Sequence, residues 1–385
     1  MLLTANRLPF ENYIRLSEFL PAFVDESNLN LTNNQPRTSY HRYAQDAVNE
    51  AASQGIPLVW DKKIAINDTI VVKSNTHVYA PLGNGAILSA GVNKPMFINE
   101  NVIFRENSRI IDENITIDGG VWNGNGMNQT RKNNEFGLVN IFSWMGVKNL
   151  NLRNHKMYTP KVYCQQAINI KDGVVEDFIV DVGRNGAINM DGVHFDGWCN
   201  DCRVSRGRIN AYDDGVGCNA DDLYYSSSYA EGGALSASFF YEDPCGPANN
   251  ITFEDLHFDN SLFGVRILSS RSRVDNITIK NFTGVTRDYA VLIDNYWRNP
   301  TAIQGAGVGD IGTINVDNID MIVNRGLFGD TQDATISLSC SVENLIMTNI
   351  IPNTGNVPTL AKYSPAESGY RAYRYGNLVL NGVIV

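Results

Sequence analysis

A short phrase, a polar residue followed by alternating apolar residues, recurs along the chain and constrains its fold more than any other feature. It reads NITI from residue 114, NLNL from 149, NITF from 250, NITI from 276, NLIM from 344 and NLVL from 377. The 26 residues from 250 to 276 match one coil of a parallel β-solenoid, in which each coil buries its apolar face against its neighbours. The repeat therefore predicts an all-β solenoid.

Four further segments alternate in the same way and align with one another. They are GVHFDG from residue 192, GVGCNA from 215, GVRILS from 264 and AVLIDN from 290. Because successive side chains of a strand point to opposite faces, the alignment predicts two inward columns, Val193, Val216, Val265 and Val291 in one and Phe195, Cys218, Ile267 and Ile293 in the other. The outward positions carry His194, Arg266 and Asp294.

One stretch, SYHRYAQDAVNEAASQG at residues 39–55, has a helical pattern instead. Ser39 is a candidate cap, and Gly55 is a candidate end of the helix. A short helix at this place would cover the unpaired edge of the first coil. We therefore predict a linker or attachment segment at 1–38 and a helix-capped β-helix catalytic domain at 39–385. A Ser/Gly/Tyr-rich surface excursion is predicted at 220–248.

Charge and composition exclude several partners. The chain has 41 acidic and 31 basic side chains and a formal charge of −10, which gives no electrostatic footprint for nucleic acid or an anionic membrane. The first residues lack the apolar run of a signal peptide, so Sec-type export is not predicted. Cys199 and Cys202 have the spacing of a zinc or redox motif, but no second pair completes a site. We expect buried thiols, no metal and no cofactor.

Three carboxylates lie at matching positions of two aligned segments. Asp191 precedes the first, and Asp213 and Asp214 precede the second, 23 residues or about one coil later. Stacked strands are about 4.8 Å apart, so the three should converge. A protonated acid and an ionised base are what inverting glycoside hydrolysis requires. Asp residues also suit the tight turns of a solenoid, but three of them at one corner favour catalysis.

Other side chains near these acids are suited to binding sugar. Aromatic rings stack on the apolar faces of sugars, and polar side chains bind their hydroxyl groups. The candidates for substrate binding are Trp198, Tyr212, Trp297, Asn219, Asp294, Arg266 and His194. His194 is also a candidate for titration near neutral pH, beside the acids.

The acid motifs resemble those of the polygalacturonase-type glycoside hydrolases. NMDG, then YDDGVGC, then GVRIL follow the order of that family's N-T-D, D-D and R-I-K motifs, and ITIDGGVWNGNG at 115–126 is similar to its glycine-rich coil. The resemblance covers roughly residues 40 to 300. It implies a right-handed parallel β-helix, catalytic aspartates at Asp191, Asp213 and Asp214, and substrate binding by Arg266.

The chain departs from the family pattern at two places. Where the family has G-H-G, the nearest segment is EGGALS at 231–236, which has no histidine. Leu268 stands where the family has the Lys of R-I-K. The family's Arg and Lys grip a galacturonate carboxylate, so the loss of one points to a sugar other than the galacturonate of pectin.

A looser resemblance, of architecture alone, is to bacteriophage tailspike depolymerases. It implies an endo-acting hydrolase of a bacterial surface polysaccharide, located in a virion tail or outside the cell. The apolar segment NLVLNGVIV at 377–385 adds the expectation of a homotrimer, since an uncapped last coil needs cover. Two other functions stay open at this point: a polysaccharide lyase acting on a uronate-containing glycan, and an adhesin that binds glycan without cleaving it.

Overall fold

The computed structural model describes residues 8–35, 37–104, 110–130, 139–183, 190–221, 245–295, 308–324, 334–351, 358–362 and 373–385. Within them the chain winds into a right-handed parallel β-helix, which confirms the predicted fold. The strands pair in parallel with strands of the neighbouring coils, and one antiparallel pair joins the last two described strands.

The strands are β1 (Ile14–Arg15), β2 (Leu58–Val59), β3 (Lys63–Ile66), β4 (Ile70–Val72), β5 (His77–Leu88), β6 (Phe97–Asn99), β7 (Asp112–Asn123), β8 (Phe142–Arg153), β9 (Lys156–Tyr158), β10 (Tyr163–Asp181), β11 (Asp191–Asp196), β12 (Asn200–Asn210), β13 (Asp214–Asn219), β14 (Ala248–Ser261), β15 (Phe263–Leu268), β16 (Arg273–Thr286), β17 (Val291–Asp294), β18 (Asp310–Val323), β19 (Ile336–Ser339), β20 (Val342–Ile350), β21 (Leu360–Lys362), β22 (Tyr375–Leu380) and β23 (Val383–Ile384). The helices are α1 (His41–Gln54) and α2 (Asn101–Phe104), with 3₁₀ turns at Leu16–Glu18 and Gly126–Asn128.

Asparagine residues form corners of the solenoid, which explains the recurring phrase. The first residues of four copies, Asn114, Asn149, Asn250 and Asn276, have left-handed backbones with φ of 56°, 59°, 55° and 52°. Asn tolerates this conformation better than most residues because its short side chain bonds locally. The amide of Asn149 donates to Asn114 Oδ1 at 2.8 Å, so neighbouring coils are also joined at this corner.

One face of the solenoid, called face A, carries the four aligned segments. It runs from β4 and β6 through the first parts of β8 and β10 to β11, β13, β15, β17, β19 and β21. The register pairs Val193 with Val216, Val216 with Val265 and Val265 with Val291, as predicted. The second inward column, Phe195, Cys218, Ile267 and Ile293, is likewise confirmed and fully buried.

Helix α1 lies at the N-terminal end of the solenoid, as predicted for a cap. Its buried side is Ala44, Ala47, Val48 and Ala51, and it ends at Gly55 in a left-handed conformation with φ of 64°. Ser39 Oγ accepts a hydrogen bond from the backbone of His41, although the helix cap itself is Tyr40. None of the helices in the described residues is long and apolar enough to span a membrane.

Part of the predicted linker is packed onto the first coil. Ile14 pairs with Leu58, and Leu16 is fully buried in the core. The domain boundary at residue 38 stays a prediction. Of the predicted excursion at 220–248, residues 222–244 lie outside the described residues, and EGGALS lies among them.

All six cysteines are free and buried, as expected for structural thiols. Cys199 Sγ donates to the carbonyl of Ala167 at 3.3 Å. Burial raises the pKa of the Cys199 thiol, which disfavours the thiolate that metal binding and redox exchange require.

Candidate active site

The candidate site lies on the outer surface of face A, where β10, β11, β13, β15 and β17 run side by side. One outward row joins Gln166, His194, Gly217, Arg266 and Leu292. The row beside it joins Asp196, Asn219, Leu268 and Asp294. His194, Arg266 and Asp294 therefore lie at outward positions, as predicted, with His194 and Arg266 in one row and Asp294 in the other.

Glycines let the coils approach closely enough to bring the acids together. A Cβ on Gly192 would lie 2.1 Å from the carbonyl oxygen of Gly215, and one on Gly215 would lie 2.7 Å from that of Gly264. Real side chains do not tolerate such distances, so each position requires glycine. The preceding residues, Asp191 and Asp214, consequently stand at the same corner of consecutive coils.

Asp191 and Asp214 face a single nitrogen of His194. Nε2 is 3.4 Å from Asp191 Oδ2 and 3.7 Å from Asp214 Oδ2, and all three side chains are buried. One donor atom from each residue lies within 4.8 Å of the other two. The predicted convergence thus occurs for Asp191 and Asp214, with His194 between them.

The His194 ring is held from three sides. The Asn219 amide nitrogen is 3.0 Å from Nδ1, and the Tyr163 ring stacks on the imidazole with 4.8 Å between centroids. A Cβ on Gly217 would lie 2.9 Å from His194 Cε1, so glycine leaves room for the ring. With the amide donating to Nδ1, the neutral imidazole carries its proton on Nε2, which faces both carboxylates.

The expectation that His194 titrates near neutral pH is wrong. The pKa of His194 is lowered to about 3, mainly by burial and to a smaller extent by the nearby charge of Arg266. His194 is therefore neutral when an enzyme of this kind would work. His194 and Asn219, both expected to bind substrate, are buried and contact each other.

Arg266 is engaged by an acid from the next strand. Its Nε and Nη2 donate to the two oxygens of Asp294 at 3.0 and 2.8 Å, and its Nη1 is 3.8 Å from Asp214 Oδ2. Asp294 was expected to bind sugar hydroxyls. In this structure it neutralises Arg266 instead.

Three of the remaining predicted residues are half-buried, and the fourth lies outside the described residues. Asp213 is half-buried and is not among the donors within 4.8 Å, and its backbone carbonyl accepts from Leu262. Tyr212 is half-buried, with the Arg287 guanidinium 4.8 Å from its ring centre. Trp198 is half-buried beside Gly246, and Trp297 lies outside the described residues.

Sequence reasoning missed three contributors to the site. Tyr163 stacks on His194, Gln166 donates to Asp196 at 2.7 Å, and Arg287 lies over Tyr212. Tyr163 aligns with Asp191 one coil away, and Gln166 aligns with His194. An alignment of β10 with β11 would have found them, but β10 shares no motif with the other segments.

The arrangement can supply an acid and a base to one substrate. Two closely spaced carboxyl groups can share one proton, which is the arrangement that an acid and base pair uses. The nearest oxygens, within 4.8 Å, are closer than the roughly 6.5–9.5 Å of typical inverting pairs and nearer to the retaining range of about 5–5.5 Å. Asp191, His194 and Asp214 are also the described residues that could share a divalent cation.

Comparisons with known proteins give one family match. Residues 93–361 match the family model described as glycosyl hydrolases family 28. No curated protein matches the sequence.

Solved structures resemble the fold at low sequence identity. An exopolygalacturonase from Thermotoga maritima is 11% identical, with 98% of this chain and 93% of that chain covered and a TM-score of 0.54. A 1,3-α-1,4-β-D-galactose-4-sulfate-3,6-anhydro-D-galactose-2-sulfate 4 galactohydrolase is 11% identical, with 94% and 92% covered and a TM-score of 0.56. A tailspike protein mutant of E. coli bacteriophage HK620 is 13% identical, with 96% and 64% covered and a TM-score of 0.50. At these identities the likeness concerns the fold alone.

Proposed function

The chain belongs to glycosyl hydrolases family 28, and on that premise we propose that it depolymerises a bacterial surface polysaccharide by cleaving internal glycosidic bonds. One observation carries the choice of site. Asp191 and Asp214, from consecutive coils, both lie within 4 Å of one His194 nitrogen on an outer face of the solenoid.

In the proposed reaction, one of these carboxyl groups protonates the leaving glycosidic oxygen. The other acts as base toward a water molecule, whose oxygen attacks the anomeric carbon while its proton passes to the base. Asp213 assists from the adjacent position. The Nε2 proton of His194 stabilises whichever carboxylate is ionised, because it lies between the two.

We expect inversion at the anomeric carbon, with water as the attacking group. The short separation of Asp191 and Asp214 does not support this, but Asp213 offers a third carboxylate at a different position. Proton NMR of the first product anomer distinguishes the two mechanisms. Retention would mean that a carboxylate attacks the sugar directly.

The proposed setting is a phage tailspike, in a virion tail or outside the cell. Its support is the likeness to the fold of the HK620 tailspike mutant and the exposed apolar segment of β23. A homotrimer is part of this proposal.

The test is a panel of purified capsular and O-antigen polysaccharides and pectin, incubated with the protein. New reducing ends and oligosaccharides with saturated ends, identified by mass spectrometry, are expected from at least one bacterial glycan. Product absorbing in the ultraviolet would indicate a lyase, and binding without new ends would indicate an adhesin; either would contradict the proposal.

A further inference from the structure

Acidic side chains outnumber basic ones at the candidate site within the part of the chain described. Around the outer surface of face A and the turns that lead into it stand the carboxylates of Asp191, Asp196, Asp213, Asp214, Asp288 and Asp294. The basic side chains there, among the described residues, are Lys161 in the turn before β10 and the guanidinium groups of Arg266 and Arg287. His194 adds no charge, since burial lowers its pKa to about 3. An anionic sugar would meet net repulsion from these described residues.

The arginine nearest to the acids already has carboxylate partners. Arg266 holds Asp294 through two nearly parallel hydrogen bonds of 3.0 and 2.8 Å, and its third nitrogen is 3.8 Å from Asp214. Its side chain is 16% exposed and that of Asp294 is 4% exposed. A bidentate pair this poorly hydrated is strong, so a substrate carboxylate would have to displace Asp294 to bind Arg266.

Among the described residues, the neighbours of this pair on the adjoining strands are uncharged. Leu268 aligns with Asp294 on the next strand and with Asn219 on the strand before, and it is fully buried. Leu292, which aligns with Arg266, is also buried and apolar. Arg287 lies over the Tyr212 ring and is followed in the chain by Asp288.

We propose that the sugar bound at Arg266, next to the bond that is cleaved, is uncharged. The substrate class is a polysaccharide of neutral hexoses, deoxyhexoses or N-acetylated amino sugars at this position, in contrast to a polyuronate. The inference rests on the proposed function, because it takes Asp191 and Asp214 as the cleaving groups. Asp294 is the residue that sets this specificity, through its hold on Arg266.

The decisive variant is Asp294→Asn, which removes the charge and keeps the shape of the side chain. Binding of trigalacturonate and of its carboxyl-reduced form, which differs only at C6, is measured by calorimetry for both proteins. We expect Asp294→Asn to bind trigalacturonate at least tenfold more tightly than the wild type does, and the double variant Asp294→Asn, Arg266→Ala to lose that gain. The amide introduced by Asp294→Asn could still accept a hydrogen bond from Arg266 and hold it in place. Asp294→Ala, which removes that acceptor, therefore serves as a second variant.

A matched control is Asp259→Asn. Asp259 holds Arg208 with a similar bidentate pair, 2.8 and 2.9 Å, away from the acids. Its removal should not change trigalacturonate binding. If Asp259→Asn bound trigalacturonate as much more tightly as Asp294→Asn does, the gain would come from the change in net charge alone. That result would overturn the proposal.

Failure of this inference differs from failure of the proposed function. The inference is overturned if the wild type binds trigalacturonate as tightly as Asp294→Asn does, or cleaves polygalacturonate in an Arg266-dependent manner. The proposed function is overturned if no glycan of the panel is cleaved. In that case the binding comparison with trigalacturonate still shows whether Asp294 keeps a sugar carboxylate away from Arg266.

Discussion

At the scale of single residues, the site depends on two carboxylates and one neutral imidazole. Asp191 and Asp214 belong to different coils, yet they are nearly equidistant from His194 Nε2. These two distances do not show which residue is the acid and which is the base. Kinetic measurements on variants are therefore needed to assign the two roles.

Asp191→Asn and Asp214→Asn should each lower turnover at least ~100-fold with little change in substrate binding, because each removes one proton-transfer group. The variant that lacks the acid should recover activity on a glycoside with an activated leaving group, which needs no protonation. Steady-state rates on both substrates check this. Asp259→Asn is the control, and near wild-type activity of either site variant would place the chemistry elsewhere.

Two buried histidines should make the protein less stable in acid. Burial lowers the pKa of His194 to about 3 and that of His155 to about 4. The unfolded chain binds a proton at each histidine below about pH 6.5, whereas the folded chain does not, so unfolding takes up protons there. Stability is then full above pH 6.5 and falls as the pH drops toward 4, by about 1.4 kcal/mol per pH unit for each histidine.

The variant His155→Phe tests this pH dependence. The His155 ring packs between Phe142 and Phe178, so phenylalanine fits its surroundings chemically. Denaturant unfolding between pH 4.5 and 8 should show a stability slope smaller than wild type by about one proton. The exposed His257→Phe is the control, and an unchanged slope in His155→Phe would contradict the expectation.

At the scale of strands, the site depends on glycine positions that set how closely the coils approach. Gly217 on β13 aligns with His194 on β11, and any side chain there meets the imidazole. The absence of a side chain at Gly217 of β13 therefore leaves the space that the His194 ring occupies.

Gly217→Ala should lower turnover at least tenfold while the chain remains folded, because the added carbon displaces His194 from between the acids. Activity measurements check the loss of turnover, and far-ultraviolet circular dichroism checks that the variant is folded. Gly55→Ala is the contrasting variant: no atom lies within 4 Å, but φ is 64°, so it should lower stability by about 1 kcal/mol without lowering turnover. Equal activity of Gly217→Ala and wild type would show that the ring tolerates the displacement.

At the scale of the whole molecule, the proposed homotrimer rests on exposed apolar side chains. Val383, Ile384 and Val385 are 64%, 78% and 44% exposed, next to the antiparallel pair of β22 and β23. Cyclic packing of three chains would cover such a surface on every copy.

Light scattering at micromolar concentration should give three times the chain mass of 42.6 kDa. Deletion of residues 376–385 should reduce that mass to one chain, because it removes the apolar segment. Replacing Ile384 with Lys is a milder variant with the same expected direction. A mass near 42.6 kDa for the intact chain would exclude the trimer.

The sequence by itself determined the solenoid and its inward columns. Corner asparagines and alternating valines obey local rules of backbone and strand geometry, and one coil repeats the next, so Val193, Val216 and Val265 could be aligned without coordinates. The same spacing placed Asp191 and Asp214 together, because each precedes a strand of the same face.

Only the tertiary structure decided what those residues contact. Whether His194 is exposed and which group holds Arg266 depend on side chains from other coils, Asn219 and Asp294, whose approach no local pattern encodes. Burial then sets the protonation of His194, since desolvation is a property of the assembled fold. A repeat fixes where a side chain stands on its strand, whereas its charge and its partners arise from what the neighbouring coils bring beside it.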